Sequence, residues 1–91
     1  MMPFARFQIE GESMLPAFKN GDRVLVWRWG SVREGDTVVF CKAGMTMVKR
    51  VAKKNGDRLH LRGDNVSAST DSLDFGEVGV KEVVGRVVIR Y

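Results

Sequence analysis

The sequence predicts a mainly β fold, a small partly closed barrel of antiparallel strands with at most short helical turns. Three observations predict it. Apolar and polar residues alternate with period two in several short runs. Three Gly-Asp pairs, Gly21-Asp22, Gly35-Asp36 and Gly56-Asp57, each lead into such a run. Helix has few openings: only Leu15 to Lys19 and Val80 to Val84 leave room, each for one turn.

The elements follow in order. Ala5 to Glu10 alternates strictly and reads as a half-buried strand. Arg23 to Trp29 is β-branched and aromatic, with Leu25, Trp27 and Trp29 on one face and Val24, Val26 and Arg28 on the other. Core packing is the simplest fate for Trp27. Thr37 to Lys42 is the third strand. Met45 to Lys53 is the fourth, with Met47, Lys49 and Val51 facing one way. Asp57 to Arg62 puts Leu59 and Leu61 on one side, and Gly85 to Tyr91 closes the chain. Glycine supplies the positive φ that tight turns need, and Asn or Asp tolerates it nearby. Lys54-Asn55-Gly56-Asp57 therefore reads as a hairpin turn.

The chain has 91 residues, which predicts one domain over 1–91. Its 15 basic and 11 acidic residues leave a net charge of +4, which allows an acidic partner without demanding one. Cys41 is the only cysteine and His60 the only histidine, so neither a disulfide framework nor a closed zinc site is available. No metal or cofactor is expected. No apolar run exceeds four residues, whereas a membrane span needs about 20. Met1 to Glu12 lacks the apolar stretch of a signal peptide. If these residues are the whole product, a cytoplasmic protein is expected. The oligomeric state is not legible.

Three segments carry possible chemistry. In Gly11-Glu12-Ser13-Met14-Leu15-Pro16, Gly11 frees the backbone and Pro16 stops regular structure, so Ser13 sits on a sharp turn after a strand. Such a hydroxyl suits a nucleophile, and nearby N–H groups outside the sheet can hold an oxyanion. The plainer alternative is a serine in an ordinary turn. A serine needs a base. Lys49 lies between Met47 and Val51 on its own strand face. If that face is the core side, burial lowers its pKa from the usual ~10.4. A surface lysine is the plainer alternative. Arg50 faces the other way, as a structural ion-pair donor, and Asp64 is its candidate partner. In the segment Gly63 to Ser72, Ser69 or Ser72 can orient the lysine amine. A solvated loop is the plainer alternative there.

Four segments in this order resemble the type I signal peptidase family, which uses a serine–lysine dyad. They are Gly11-Glu12-Ser13-Met14-Leu15-Pro16, Gly35-Asp36-Thr37-Val38-Val39-Phe40, Val48-Lys49-Arg50-Val51, and Gly63-Asp64-Asn65 with Ser69, Asp71, Ser72 and Gly76. Gly85-Arg86-Val87 resembles the closing strand. Within the family, the stretch from Gly63 to Tyr91 is similar to the small nickel-type superoxide dismutase maturation proteases.

The resemblance implies a serine endopeptidase that removes an N-terminal leader from an extended precursor protein. Ser13 is then the nucleophile, Lys49 the base and Ser69 its support, with Asp64 and Asp71 holding the loop. Gly11, Met14 and Pro16 lie beside oxyanion and substrate, and Ser72 and Arg50 join the support. It also implies a preference for small side chains before the scissile bond. Leu73 stands where the family often has arginine, and Gly11 where it often has serine, so the oxyanion rests on backbone N–H groups. The transmembrane anchor of tethered members has no counterpart here, although peripheral membrane contact is compatible with the apolar surface. A self-cleaving repressor domain shares the nucleophile turn and the lysine. A non-enzymatic basic β-barrel, with Trp27 and Trp29 available for single-stranded nucleic acid, is the remaining alternative. Nucleic acid is not the expected partner.

Overall fold

The computed structural model describes residues 3–42, 44–65 and 77–91. Among these residues, seven antiparallel strands form one sheet: β1 (Phe4–Gln8), β2 (Arg23–Trp27), β3 (Thr37–Lys42), β4 (Met45–Asn55), β5 (Arg58–Arg62), β6 (Val78–Gly79) and β7 (Val83–Arg90). Their order is β1-β2-β7-β3-β4-β5-β6, so among the described residues the sheet does not close and β1 and β6 are its edges. A 3₁₀ turn over Val80–Glu82 is the helical remnant expected near Val80. The other expected turn forms where the Phe18 N–H donates to the Met14 carbonyl at 2.9 Å.

The mainly β expectation holds, with differences in detail. β1 starts one residue earlier than the alternation suggested and stops at Gln8. β2 ends at Trp27, so Trp29 lies outside it. β4 runs on to Asn55, because a bulge between Val51 and Lys53 re-phases its pairing with β5. The two-residue β6 was not anticipated, since it is too short for any period to show.

The core divides over the two faces of β3. Val38 and Phe40 join Val51, Leu59, Leu61 and Val78 on one side. Val39 joins Ile9, Val24 and Val26 on the other. Val24 and Val26 are therefore the core face of β2, and Trp27 is only half-buried. The outer face suits its ring better: Phe4 meets it edge-on at 4.9 Å and Trp29 at 6.0 Å. Each fully buried aliphatic or phenyl side chain contributes roughly 1.5–3 kcal/mol.

β7 lies between β2 and β3, with a register shift in its pairing with each. Gly85 sits on this strand. A Cβ there would stand 2.3 Å from the Trp27 carbonyl oxygen, so only glycine lets the backbones approach.

Candidate active site

The site begins where β1 ends. The Ile9 N–H donates to the Asp22 carbonyl at 2.7 Å, and the Gly21 N–H to the Ile9 carbonyl at 2.8 Å. These bonds pin the two ends of the loop that carries Ser13. Gly11 has φ of +81°, a conformation that side-chain-bearing residues rarely adopt. Its N–H donates to Asn20 Oδ1 at 2.9 Å. Met14, 1% exposed, anchors the turn in the interior, while Ser13 stays half-buried.

Lys49 arrives from the other side. In β4 it pairs with Val38 of β3 and is 4% exposed. Among the described residues, Thr37 is the only other buried polar or charged one, and it is less deeply buried. No buried side-chain nitrogen or oxygen among them lacks a partner.

Ser13 and Lys49 line one cleft of about 530 Å³. Phe7, Ile9, Met14, Met47 and Val48 give it apolar walls, with Glu10 and Glu12 at the side of the Ser13 turn. Among the described residues, the Ser13 N–H donates to no main-chain carbonyl. Gly11 and Met14 also line the cleft, whereas Pro16 is exposed and lies outside its lining.

The loop after β5 braces this arrangement. Arg50 Nε and Nη2 donate to the two oxygens of Asp64, each at 2.8 Å, and Arg50 Nη1 donates to the Gly35 carbonyl at 2.9 Å. Hydrogen bonding to Asp64 raises the Arg50 pKa further, against a smaller opposing effect of burial. The guanidinium is thus a permanent cation. The Asn65 N–H donates to the Ser13 carbonyl at 2.8 Å, and its Nδ2 to the Glu12 carbonyl at 3.1 Å.

The expected Arg50–Asp64 pair is formed. Ser69, Asp71, Ser72 and Leu73 lie outside the described residues. His60 pairs with Glu77. Cys41 is exposed on β3, with its sulfur 3.6 Å from Thr46 Oγ1. Asn65 and Asn20 were missed as supporting residues. Asn65 stood inside a quoted motif and Asn20 beside a turn glycine, but neither residue type announces a partner so far away in sequence. Among the described residues, no group of metal-ligating side chains is assembled. No helix among them is long and apolar enough to cross a membrane.

Residues 4–88 match the protein family described as Peptidase S24-like. The chain belongs to that family. This S24-like chain is 36% identical over 66 residues to signal peptidase I U of Bacillus subtilis, covering 66% of the chain and 35% of the relative. It is 36% identical over 88 residues to the signal peptidase complex catalytic subunit SEC11 of Metarhizium acridum, covering 84% of the chain and 51% of the relative. With signal peptidase IB of Staphylococcus aureus it shares 33% identity over 73 residues, or 75% of the chain and 38% of the relative. The S24-like chain thus spans about a third to a half of the length of these curated relatives. The resemblance to type I signal peptidases read from the motifs agrees with these matches.

Proposed function

We propose that this chain is a serine endopeptidase domain, with Ser13 as nucleophile and Lys49 as general base, that removes a leader from an extended precursor protein. The observation that carries this reading is the shared cleft: a buried lysine and a turn serine line the same apolar-walled concavity. Lys49 is 4% exposed, and burial disfavours an ammonium relative to the neutral amine that a base requires, which supports this role.

In this mechanism Ser13 Oγ attacks the scissile carbonyl carbon as the Lys49 amine takes the hydroxyl proton. The carbonyl oxygen becomes an oxyanion facing the Ser13 N–H. Lys49 then gives its proton to the departing amine as the C–N bond breaks, leaving an acyl ester on Ser13. Water, deprotonated by the same amine, hydrolyses that ester. The nickel superoxide dismutase proenzyme is the finer candidate substrate, supported by the sequence pattern from Gly63 to Tyr91.

The test is mass-spectrometric cleavage of a leader-bearing nickel dismutase precursor and of an Ala-x-Ala peptide. Wild type, Ser13→Ala and Lys49→Ala are compared. One specific cut lost in both variants is expected. A cut that survives in either variant would overturn the assigned roles, and absence of any cut with both substrates would count against the substrate class.

A further inference from the structure

A second concavity, of about 320 Å³, opens where β2 ends and β7 begins. It shares no lining residue with the Ser13 cleft. Its wall is the Trp27–Trp29 pair, with rings 6.0 Å apart and inclined at 72°. Trp29 is 52% exposed, a large aromatic surface left to solvent. Val83 adds apolar floor.

The charge is one-sided. Arg28, Lys54 and Arg86 line the cleft, and among the described residues no carboxylate does. Arg28 and Arg86 form no ion pair among the described residues. Lys54 Nζ is held in place by donating to the Val32 carbonyl at 2.9 Å, and an ammonium keeps two further protons to donate. The neighbouring acid, Glu34, accepts from the Lys54 main-chain N–H at 3.0 Å.

We propose that this cleft binds an acidic segment of a polypeptide. An aromatic or aliphatic side chain rests on the Trp27–Trp29 pair, and flanking carboxylates meet Arg28, Lys54 and Arg86. The volume lies near the lower end of the ~300–1,000 Å³ usual for ligand sites, enough for one large side chain with its neighbours. Guanidinium groups recognise carboxylates through paired hydrogen bonds. A single-stranded nucleic acid fits less well, because successive bases need successive open ring faces, and these two rings meet edge to face. A bilayer surface does not enter a concavity of this size.

Trp27 and Trp29 are the only tryptophans in the chain, so tryptophan fluorescence, excited where tyrosine does not absorb, reports this cleft. The full chain is titrated with a peptide of about ten residues in which Phe is flanked by Glu. Its Gln-for-Glu twin, an oligo-dT strand and phosphatidylglycerol vesicles are the comparisons. A saturable change with the acidic peptide is expected, weakened about tenfold or more by the Gln twin and by Arg28→Glu, and weakened by added salt. Arg28 is exposed beyond the end of β2, and Arg86→Gln provides a second variant. No saturable change, equal binding of the Gln twin, or saturation by oligo-dT or vesicles alone would overturn the proposal. The readout does not pass through Ser13, so an inactive peptidase and an empty distal cleft give different results.

Discussion

Asn65 grips the Ser13 turn at two points, with its main-chain N–H on the Ser13 carbonyl at 2.8 Å and its carboxamide on the Glu12 carbonyl at 3.1 Å. Its neighbour Asp64 is bound to Arg50, the residue after Lys49. One short loop therefore ties the turn of the proposed nucleophile to the strand that carries the proposed base. In Asn65→Ala the main-chain bond survives and the carboxamide bond is lost. Stability is expected to fall by about 1 kcal/mol, read from urea unfolding. Turnover of a cleavable peptide is expected to fall more than KM changes, as Ser13 loses its fixed position. An unchanged kcat would mean that the turn holds itself.

Replacing Arg50 with lysine keeps the charge and loses the fork. Two parallel bonds to Asp64 and one to Gly35 cannot all be remade by an ammonium. The pair is partly exposed, at 38% and 20%, so screening keeps the cost modest, at about 1–2 kcal/mol. The pKa of Arg50 is raised in the fold, chiefly by the hydrogen bond to Asp64. A raised pKa contributes stability that is complete below the unfolded value and lost only as pH climbs through the folded one. For a guanidinium that window is strongly alkaline. The stability gap between wild type and Arg50→Gln is thus expected to stay level from about pH 6 to 9. A gap that narrows within that range would show that other groups control the pair.

Lys49→Met separates stability from activity. Methionine fills a similar volume and brings no charge to a position that is 4% exposed. Burying an amine is costly even when it is hydrogen-bonded, and the variant removes both that cost and the bond, so its stability is expected to stay within about 1 kcal/mol of wild type. Cleavage is expected to vanish. Thermal melting with the peptide assay checks both. Loss of stability together with activity would make Lys49 a structural residue first.

Gly85→Ala is expected to be the most damaging small change in the sheet. The added methyl would overlap the Trp27 carbonyl oxygen, at 2.3 Å, and crowd Val26 Cγ1, at 2.6 Å. Backbone atoms cannot step aside as a side-chain tip can. A loss of about 3 kcal/mol or more is expected in denaturant unfolding. A loss below about 1 kcal/mol would show that β2 and β7 separate easily.

The fold was largely legible because period-two alternation and Gly-Asp turns are local signals. Gly21, Gly35 and Gly56 all take the positive φ that their turns suggested. Which face of β2 meets the core was not legible: Val24/Val26 and Leu25/Trp27 are both apolar pairs, and only the neighbouring strands decide between them. For the site, the Met47-Lys49-Val51 face showed that Lys49 would be buried if that side met the core, and it does. The grip of Asn65 on residues 12 and 13 was not legible, because it spans more than fifty positions and depends on how β4 and β5 bring the two loops together.

β3 is covered on both faces, with Val38 and Phe40 in one cluster and Val39 in the other. Lys49 is paired directly to this strand. Ser13 hangs instead from a loop fastened at its ends and by Asn65. The two members of the proposed dyad therefore belong to layers of different opening energy. In hydrogen exchange, main-chain protons around Val38 and Lys49 would be among the last to leave, and those around Ser13 would leave much earlier. Local breathing would displace Ser13 long before it disturbed Lys49, and the proposed dyad could re-form without refolding of the interior.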